Sequence, residues 1–359
     1  MNLLQPSSGT ISGGVYLDAD PDRVSWGLLP NALAKPVLTV ASGTVVCVDT
    51  ISHEGILEDQ GRDPAEFFAA AGITEILSDT AAVAATVAHD PLRQGPHVIT
   101  GPIAVSGARP GDVLEVEVLE LRRRTDYGVI SNRHGKGALA GEYPQPPAGY
   151  DPALPVPPAC TVATVEKNRG VIGLGDGRAI RFPLELFLGI MGVAAGTEQQ
   201  VHSVPPGPHG GNLDIRMLGV GARLFLPVQV PGALFYTGDP HFAMGDGEVA
   251  LTAFEAPLRA TLRLTVHNDA RMRSLASTLA TPFAETAADH LVIGLDPDLD
   301  IAVQQATRNA LAFLSERYAV PAPLALAYLS AAADFRISQV VDQVKGVHCC
   351  LRKSDLEGL

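Results

Sequence analysis

Three stretches of the chain share one rhythm, a glycine-containing turn followed by alternating apolar and polar positions. They are Ser42-Gly-Thr-Val-Val-Cys-Val-Asp49, Pro110-Gly-Asp-Val-Leu-Glu-Val-Glu-Val118 and Gly221-Ala-Arg-Leu-Phe-Leu-Pro-Val-Gln-Val230. In the second, Val113, Glu115 and Glu117 point one way and Leu114, Val116 and Val118 the other, the period of a half-buried strand. Residues 258–268 alternate in the same way and predict another strand. Gly-Ala-Arg recurs at 107–109 and 221–223. That recurrence fits duplicated β units, and it fits equally the ordinary reuse of one turn chemistry.

Helical periodicity is sparser. Residues 63–90 are Ala-rich and predict a helix in which Pro64 suits only the first turn. Residues 143–158 are dense in proline, which excludes a helix or a central strand and predicts an extended, lid-like connector. The pattern changes after Glu255. Leu299–Tyr318 reads as a helix with Ile301, Ala302, Ala306, Ala310, Phe313 and Leu314 on one face. The acids of Asp296-Pro-Asp-Leu-Asp300 sit at its positive end and read as a cap. An EF-hand is excluded there, since Ile301 stands where a glycine would be needed. Residues 323–333 predict a second helix and 335–344 a strand. The expected fold is mostly β, a β-sandwich or jelly-roll-like body at 1–255 with a C-terminal α+β lobe at 256–359.

Composition supports a packed, strand-rich chain. Of 359 residues, 46% are hydrophobic and 18% charged, and 36 Gly with 28 Pro cut the chain into short pieces. A net charge of −13 makes nucleic acid and anionic membranes poor partners. Cys47, Cys160, Cys349 and Cys350 form no CxxC motif, so a reducing compartment is expected. The first residues lack the pattern of a secretory signal and no apolar run could span a membrane. A cytoplasmic location is the expectation. Gly173-Leu-Gly-Asp-Gly177 lacks the strand–helix setting of a dinucleotide loop.

The densest polar grouping lies between Pro205 and Glu248. It includes Gly210-Gly-Asn-Leu-Asp214 and Thr237-Gly-Asp-Pro-His-Phe-Ala-Met-Gly-Asp-Gly-Glu248. In extended backbone Asp239 and His241 would share a face, and so would Asp246 and Glu248. Such carboxylates and imidazoles suit a hard or borderline divalent cation. A solvated Asp/Gly turn remains the competing reading.

Four segments together resemble the acetamidase/formamidase family. They are His97-Val-Ile-Thr-Gly-Pro through Gly111-Asp-Val-Leu114, Gly210-Gly-Asn-Leu-Asp214, Leu226-Pro-Val-Gln-Val-Pro-Gly-Ala-Leu-Phe235 with Gly238-Asp-Pro-His241 and Gly245-Asp-Gly-Glu248, and Ala333-Asp-Phe-Arg through Gly346-Val-His348. The resemblance spans about residues 36–350. It implies hydrolysis of a short aliphatic amide such as formamide or acetamide to ammonia and a carboxylate. It also implies a β-rich fold, a metal-assisted site and a homodimer or higher homo-oligomer. No Gly-Gly-Ser-Ser-Gly run or nucleophilic cysteine motif points to the other amidase chemistries.

On that basis Asp214, Asp239, His241 and His97 are the expected ligands of a divalent metal, zinc ahead of calcium. Glu248 is the expected base, with Asp246 next, and Asn212 or the Gly210-Gly211 backbone would stabilise an oxyanion. His53, Glu54, His134 and Gly211 are assigned to the substrate, against readings of His53-Glu54 as a surface ion pair and of His134 as part of a solvated basic loop. The His53-Glu54 pair and the His134 loop depart from the family pattern. They leave room for a longer or charged amide met by Arg133 or Lys136. The alternatives are hydrolysis of a carbamate or cyclic amide, and a binding protein that kept the fold without the chemistry.

Overall fold

Two large β-sheets stacked face to face make up most of the structure, a computed structural model that describes residues 3–359. The first sheet has nine strands, in the order Val15–Leu17, Thr44–Asp49, Leu258–His267, Val113–Arg123, Arg223–Pro227, Phe283–Glu285, Asp289–Asp296, Lys345–Arg352 and Asp334–Gln339. The second has eleven strands and is centred on Phe235–Ala243, which pairs with Phe187–Val193, Phe254–Glu255 and Val98–Val105. The main core is drawn from both sheets. Val46, Val48, Leu114, Val116, Val118, Leu262 and Leu264 of the first meet Val105, Leu188, Met191, Val193, Phe235 and Phe242 of the second. This is a β-sandwich, as the alternation predicts.

The strand Val113–Arg123 shows why the alternating pattern was legible. Its Leu114, Val116 and Val118 are buried between the sheets, while Glu115 and Glu117 on the outer face pair with His267 and Arg263 of the neighbouring strand. Val113, on that outer face, is buried instead under the C-terminal helices. Charge pairs across adjacent strands suit a half-wet face.

Three helices, Ala270–Leu279, Leu299–Tyr318 and Ala322–Ala332, pack on the outer face of the first sheet. Leu299–Tyr318 has its predicted bounds. Asp298 caps it by accepting the N–H groups of Asp300 and Ile301. Ala302, Ala306 and Ala310 form the buried stripe, and Gly294 on the sheet below lets them approach. A Cβ there would lie 2.2 Å from the Ala302 carbonyl oxygen. Ile301, assigned by periodicity to that face, is 38% exposed, because the alanine stripe alone touches the sheet. The single helix expected over 63–90 is two, Pro64–Ala69 and Ser78–Thr86, separated at Gly72, whose φ of 77° is left-handed. Pro64 sits in the first turn, with Asp63 as cap. Residues 143–158 contain no helix or strand. Among the described residues no helix is long and apolar enough to cross a membrane.

Candidate active site

The central strand of the second sheet carries Asp239 and His241 into the molecule. Around them gather Asp214, just after Gly210–Asn212, Glu248 in a turn, Glu255 on the neighbouring strand and Asp342 on a C-terminal loop. All six are buried. Asp214, Asp239 and Glu248 have φ values of 46°, 51° and 49°, in the left-handed region that residues with a Cβ seldom occupy. Such strain gathered at one place marks a built site, since it persists only where the surroundings enforce it. Gly189 forms part of the floor. A Cβ on it would lie 2.4 Å from both Asp214 Oδ1 and Asp239 Oδ2. Only glycine leaves that space open.

His241 Nε2 lies 2.9 Å from Glu255 Oε1 and 3.1 Å from Asp239 Oδ2, and its Nδ1 is 4.0 Å from Asp214 Oδ1. On the other side of Asp239, His53 Nδ1 is 3.5 Å and His97 Nε2 is 3.8 Å from Oδ1. The His53 and His97 rings meet edge to face at 5.1 Å. Outer partners orient both. His97 Nδ1 is 2.9 Å from Ser203 Oγ. Behind His53, Glu54 accepts from Ser131 Oγ at 2.7 Å and from Arg133 at 3.1 Å. A fixed second ring nitrogen is what a ligating histidine requires.

The electrostatics are lopsided. Five carboxylates, those of Asp214, Asp239, Glu248, Glu255 and Asp342, share this space with three imidazoles and no Lys or Arg ion pair. Burial, and then mutual repulsion, pushes Asp214 and Glu248 well above the usual carboxylate range. Burial pushes Asp342 up to about 8. Asp239 runs the other way. Burial would raise it, yet His241 and His97 pull it well below its ordinary value. For Glu54, burial is outweighed by the His53 hydrogen bond and the Arg133 charge, which hold it at about 2.

Many buried polar atoms here lack a hydrogen-bond partner within the chain. Both Asp214 oxygens, Asp239 Oδ1, Glu255 Oε2, Asp342 Oδ2, His53 Nδ1 and both His241 nitrogens are among them. Orphaned acceptors at this density are costly unless a cation satisfies them. Three combinations have ligand atoms within 4.8 Å of one another: His53 with His97 and Asp239, Asp214 with His241 and Glu248, and Asp239 with His241 and Glu255. The donor set fits a divalent cation of the kind that takes carboxylate and imidazole together.

A cavity of about 730 Å³ opens above the cluster, and His53, His97, Asn212, Asp239 and Glu248 are on its wall. Seven residues singled out from sequence thus meet here: those five with Asp214 and His241. Glu54 stands behind His53. Gly211 turns beside Asn212, with φ 83°. Two others are elsewhere. Asp246 does not share a face with Glu248, because the chain turns through Gly247 at φ 100° between them; its carboxylate pairs with Arg216 at 2.6 Å. His134 lies on an exposed turn, its Nδ1 3.3 Å from the Pro144 carbonyl oxygen. Sequence reasoning missed Glu255 and Asp342. Each is a lone acid in an apolar run, Ala253-Phe-Glu-Ala256 and Val340-Val-Asp342, and that contrast was the available signal.

Comparison with known proteins points the same way. The sequence model of the Acetamidase/Formamidase family matches residues 191–351. A formamidase of Methylophilus methylotrophus is 26% identical over 299 residues, covering 68% of this chain and 73% of that protein. An acetamidase of Mycolicibacterium smegmatis is 29% identical over 200 residues, covering 43% of this chain and 49% of that protein. The match to a relative from Schizosaccharomyces pombe likewise spans about half of that protein, 47%. The crystal structure of an acetamidase from Bacillus halodurans superposes with a TM-score of 0.73 at 28% identity, covering 96% of this chain and 100% of that one.

Proposed function

We propose that this chain, which carries an acetamidase/formamidase family domain over residues 191–351, hydrolyses the C–N bond of a short linear amide to ammonia and a carboxylate. The observation that carries the proposal is the cluster of five buried carboxylates and three imidazoles at the floor of a cavity, in a chain whose relatives are named formamidase and acetamidase. We assign Asp239, His241, Asp214 and His97 as the residues that would hold a divalent cation, with His53 and Glu255 beside them. The mixed nitrogen and oxygen donors favour zinc, with calcium second. Bound there, a divalent cation supplies Lewis acidity next to the scissile carbonyl and lowers the pKa of water toward neutrality.

The chain's own groups do the rest. Glu248 borders the cavity, where its carboxylate would take a proton from the attacking water, and burial with its acidic neighbours raises its proton affinity well above the usual carboxylate range. It returns that proton to the departing nitrogen, so the amide and water become a carboxylic acid and ammonia, which ionise to carboxylate and ammonium. Asn212 borders the cavity with its side chain engaged by no other residue, and its amide donates to the oxygen that gains charge. The buried floor keeps bulk water from the reacting atoms. A homodimer or larger assembly fits the Ala/Leu-rich helix Ala322–Ala332, whose Leu324 and Leu326 are 64% and 50% exposed. Sedimentation at micromolar concentration tests it, and a mass near 37.6 kDa would overturn it.

Ammonia release from formamide, acetamide and longer amides, measured with and without a chelator, tests the central reading. Turnover that is lost on chelation and restored by zinc supports it. A protein free of metal on elemental analysis that still releases ammonia would overturn the metal assignment. No ammonia from any amide would overturn the amidase reading.

A further inference from the structure

The cavity is far larger than a one- or two-carbon amide needs. At about 730 Å³ it matches the range of about 300–1,000 Å³ that usually encloses a drug-sized ligand. Its lining is partly apolar, with Leu57, Pro96, Val204, Leu251 and Val340 among the residues that form it beside the acids.

Three side chains of the same lining offer N–H groups with no acceptor among the described residues. Lys136 is exposed, and among the described residues it has no ion-pair or hydrogen-bond partner. Gln94 uses its Oε1 to accept the Asp90 N–H at 2.7 Å, so its remaining polar atom is the amide nitrogen, a donor. His202 accepts the Val204 N–H at Nδ1, 3.2 Å away, which leaves the ring proton on Nε2. Burial and then the Lys136 charge lower this ring's proton affinity. The two lining acids outside the buried cluster are already matched. Glu58 pairs with His89 at 2.9 Å and with Arg62 at 3.2 Å, and Asp59 pairs with Arg133 at 2.6 Å. Arg133, the other Lys or Arg of the lining, is held by Asp59 and Glu54 and has no charge left to offer.

An acidic cluster, apolar wall residues and an unmatched cationic donor set in one cavity describe a ligand with two different ends. We infer that the amide taken by this site carries a second, carboxylate end, received by Lys136 with the Gln94 and His202 N–H groups, while its methylenes lie along the apolar wall. The substrate class is the monoamide of an aliphatic dicarboxylic acid. This inference rests on the amidase reading, which fixes the end of the cavity where the carboxamide lies. A charge-assisted hydrogen bond to a carboxylate is among the stronger polar contacts.

The test compares kcat/KM for succinamate and glutaramate with that for the chain-matched neutral amides butyramide and valeramide, in the metal-loaded enzyme. The carboxylated amides are expected to lead by about tenfold, the effect of one charged contact, with the difference carried by KM. Lys136→Met should bring the ratio of carboxylated to neutral kcat/KM down about tenfold, and Lys136→Glu should invert it. Lys136 is exposed, so both variants are expected to fold. Neutral amides turned over as well as carboxylated ones would overturn the inference and leave the amidase reading standing. A preference for carboxylated amides that survives Lys136→Met would overturn the role of Lys136. Ammonia from neither class would overturn the amidase reading itself, and this inference with it.

Discussion

Two groups of charges lie fully buried in this protein, and they are built on opposite principles. In the first, Asp49 and Asp79 meet Arg124 and Arg259 beneath the N-terminal segment. Arg259 grips Asp49 through two contacts, at 2.6 and 2.8 Å, while Arg124 lies 2.7 Å from Asp79 and 3.5 Å from Asp49. Tyr16 donates a further hydrogen bond to Asp49 at 2.6 Å, and Arg124 donates to the carbonyl oxygens of Leu4 and Thr50. Each charge there has its opposite within reach. In the second group five carboxylates face three imidazoles, and their acceptors point at one another. The balanced cluster ties strands and the N-terminal segment together. The unbalanced one fits a cation bound within it, since strongly perturbed buried charges gather at functional sites more than they serve stability.

The contrast can be broken in order of expected effect. Asp49→Asn leaves Arg259 buried without its bidentate partner and should cost about 3–5 kcal/mol of stability, read by denaturant unfolding. The same change at Asp214, in metal-free protein, should be neutral or stabilising because it removes one of the repelling charges. Equal destabilisation by both would erase the distinction.

Glu248→Gln keeps shape but removes the proton carrier. Turnover should fall by roughly 10²-fold, the usual scale for losing a general base, with folding unchanged. A parallel drop in metal content would make Glu248 a ligand instead.

A third buried group, His348, sharpens the comparison because it stands outside both clusters. Burial lowers its pKa to about 4, beneath the 6.5 expected of the unfolded chain. As pH falls the unfolded chain therefore takes the proton first. The folded state keeps its full advantage above about 6.5 and loses it progressively as pH falls toward about 4, by about 2 kcal/mol between pH 7 and 5. The slope of stability against pH over that window should flatten in His348→Gln. An unchanged slope would remove His348 as its source.

The smallest effect is expected at Asp246, two residues from Glu248 but paired with Arg216 away from the acidic cluster. Asp246→Asn should change turnover by less than about threefold and stability by no more than about 1 kcal/mol, the range of a partly exposed ion pair. A loss as large as that of Glu248→Gln would return Asp246 to the machinery.

How much of this was legible beforehand depends on the distance over which each cause acts. The alternation at Val113–Val118 has a local cause, since one face of the strand meets the other sheet and the opposite face meets water. The helix Leu299–Tyr318 carries its own cap in Asp298 and its packing stripe in three alanines, so its bounds could be read directly. Asp214, Asp239, His241 and Glu248 stood out because they lie in Gly-rich segments dense in polar residues. Glu255 and Asp342 did not, because each is one acid among apolar neighbours, a contrast that strand ends and turns also show. Asp246 was paired with Glu248 by assuming extended backbone, and the left-handed turn at Gly247 and Glu248 undid that assumption.

The sequence by itself determined the β-rich character, the late helices and the residue types available for chemistry. These follow from periodicity, capping and composition, which act over a few residues. Only the tertiary structure decided which of 39 acids would be left without a counter-charge. Arg124 and Arg259 go to Asp49 and Asp79, Arg133 goes to Glu54 and Asp59, and the central strand carries Asp239 where no arginine reaches. That allocation depends on which distant segments the sandwich presses together, and nothing in the local order of residues encodes it.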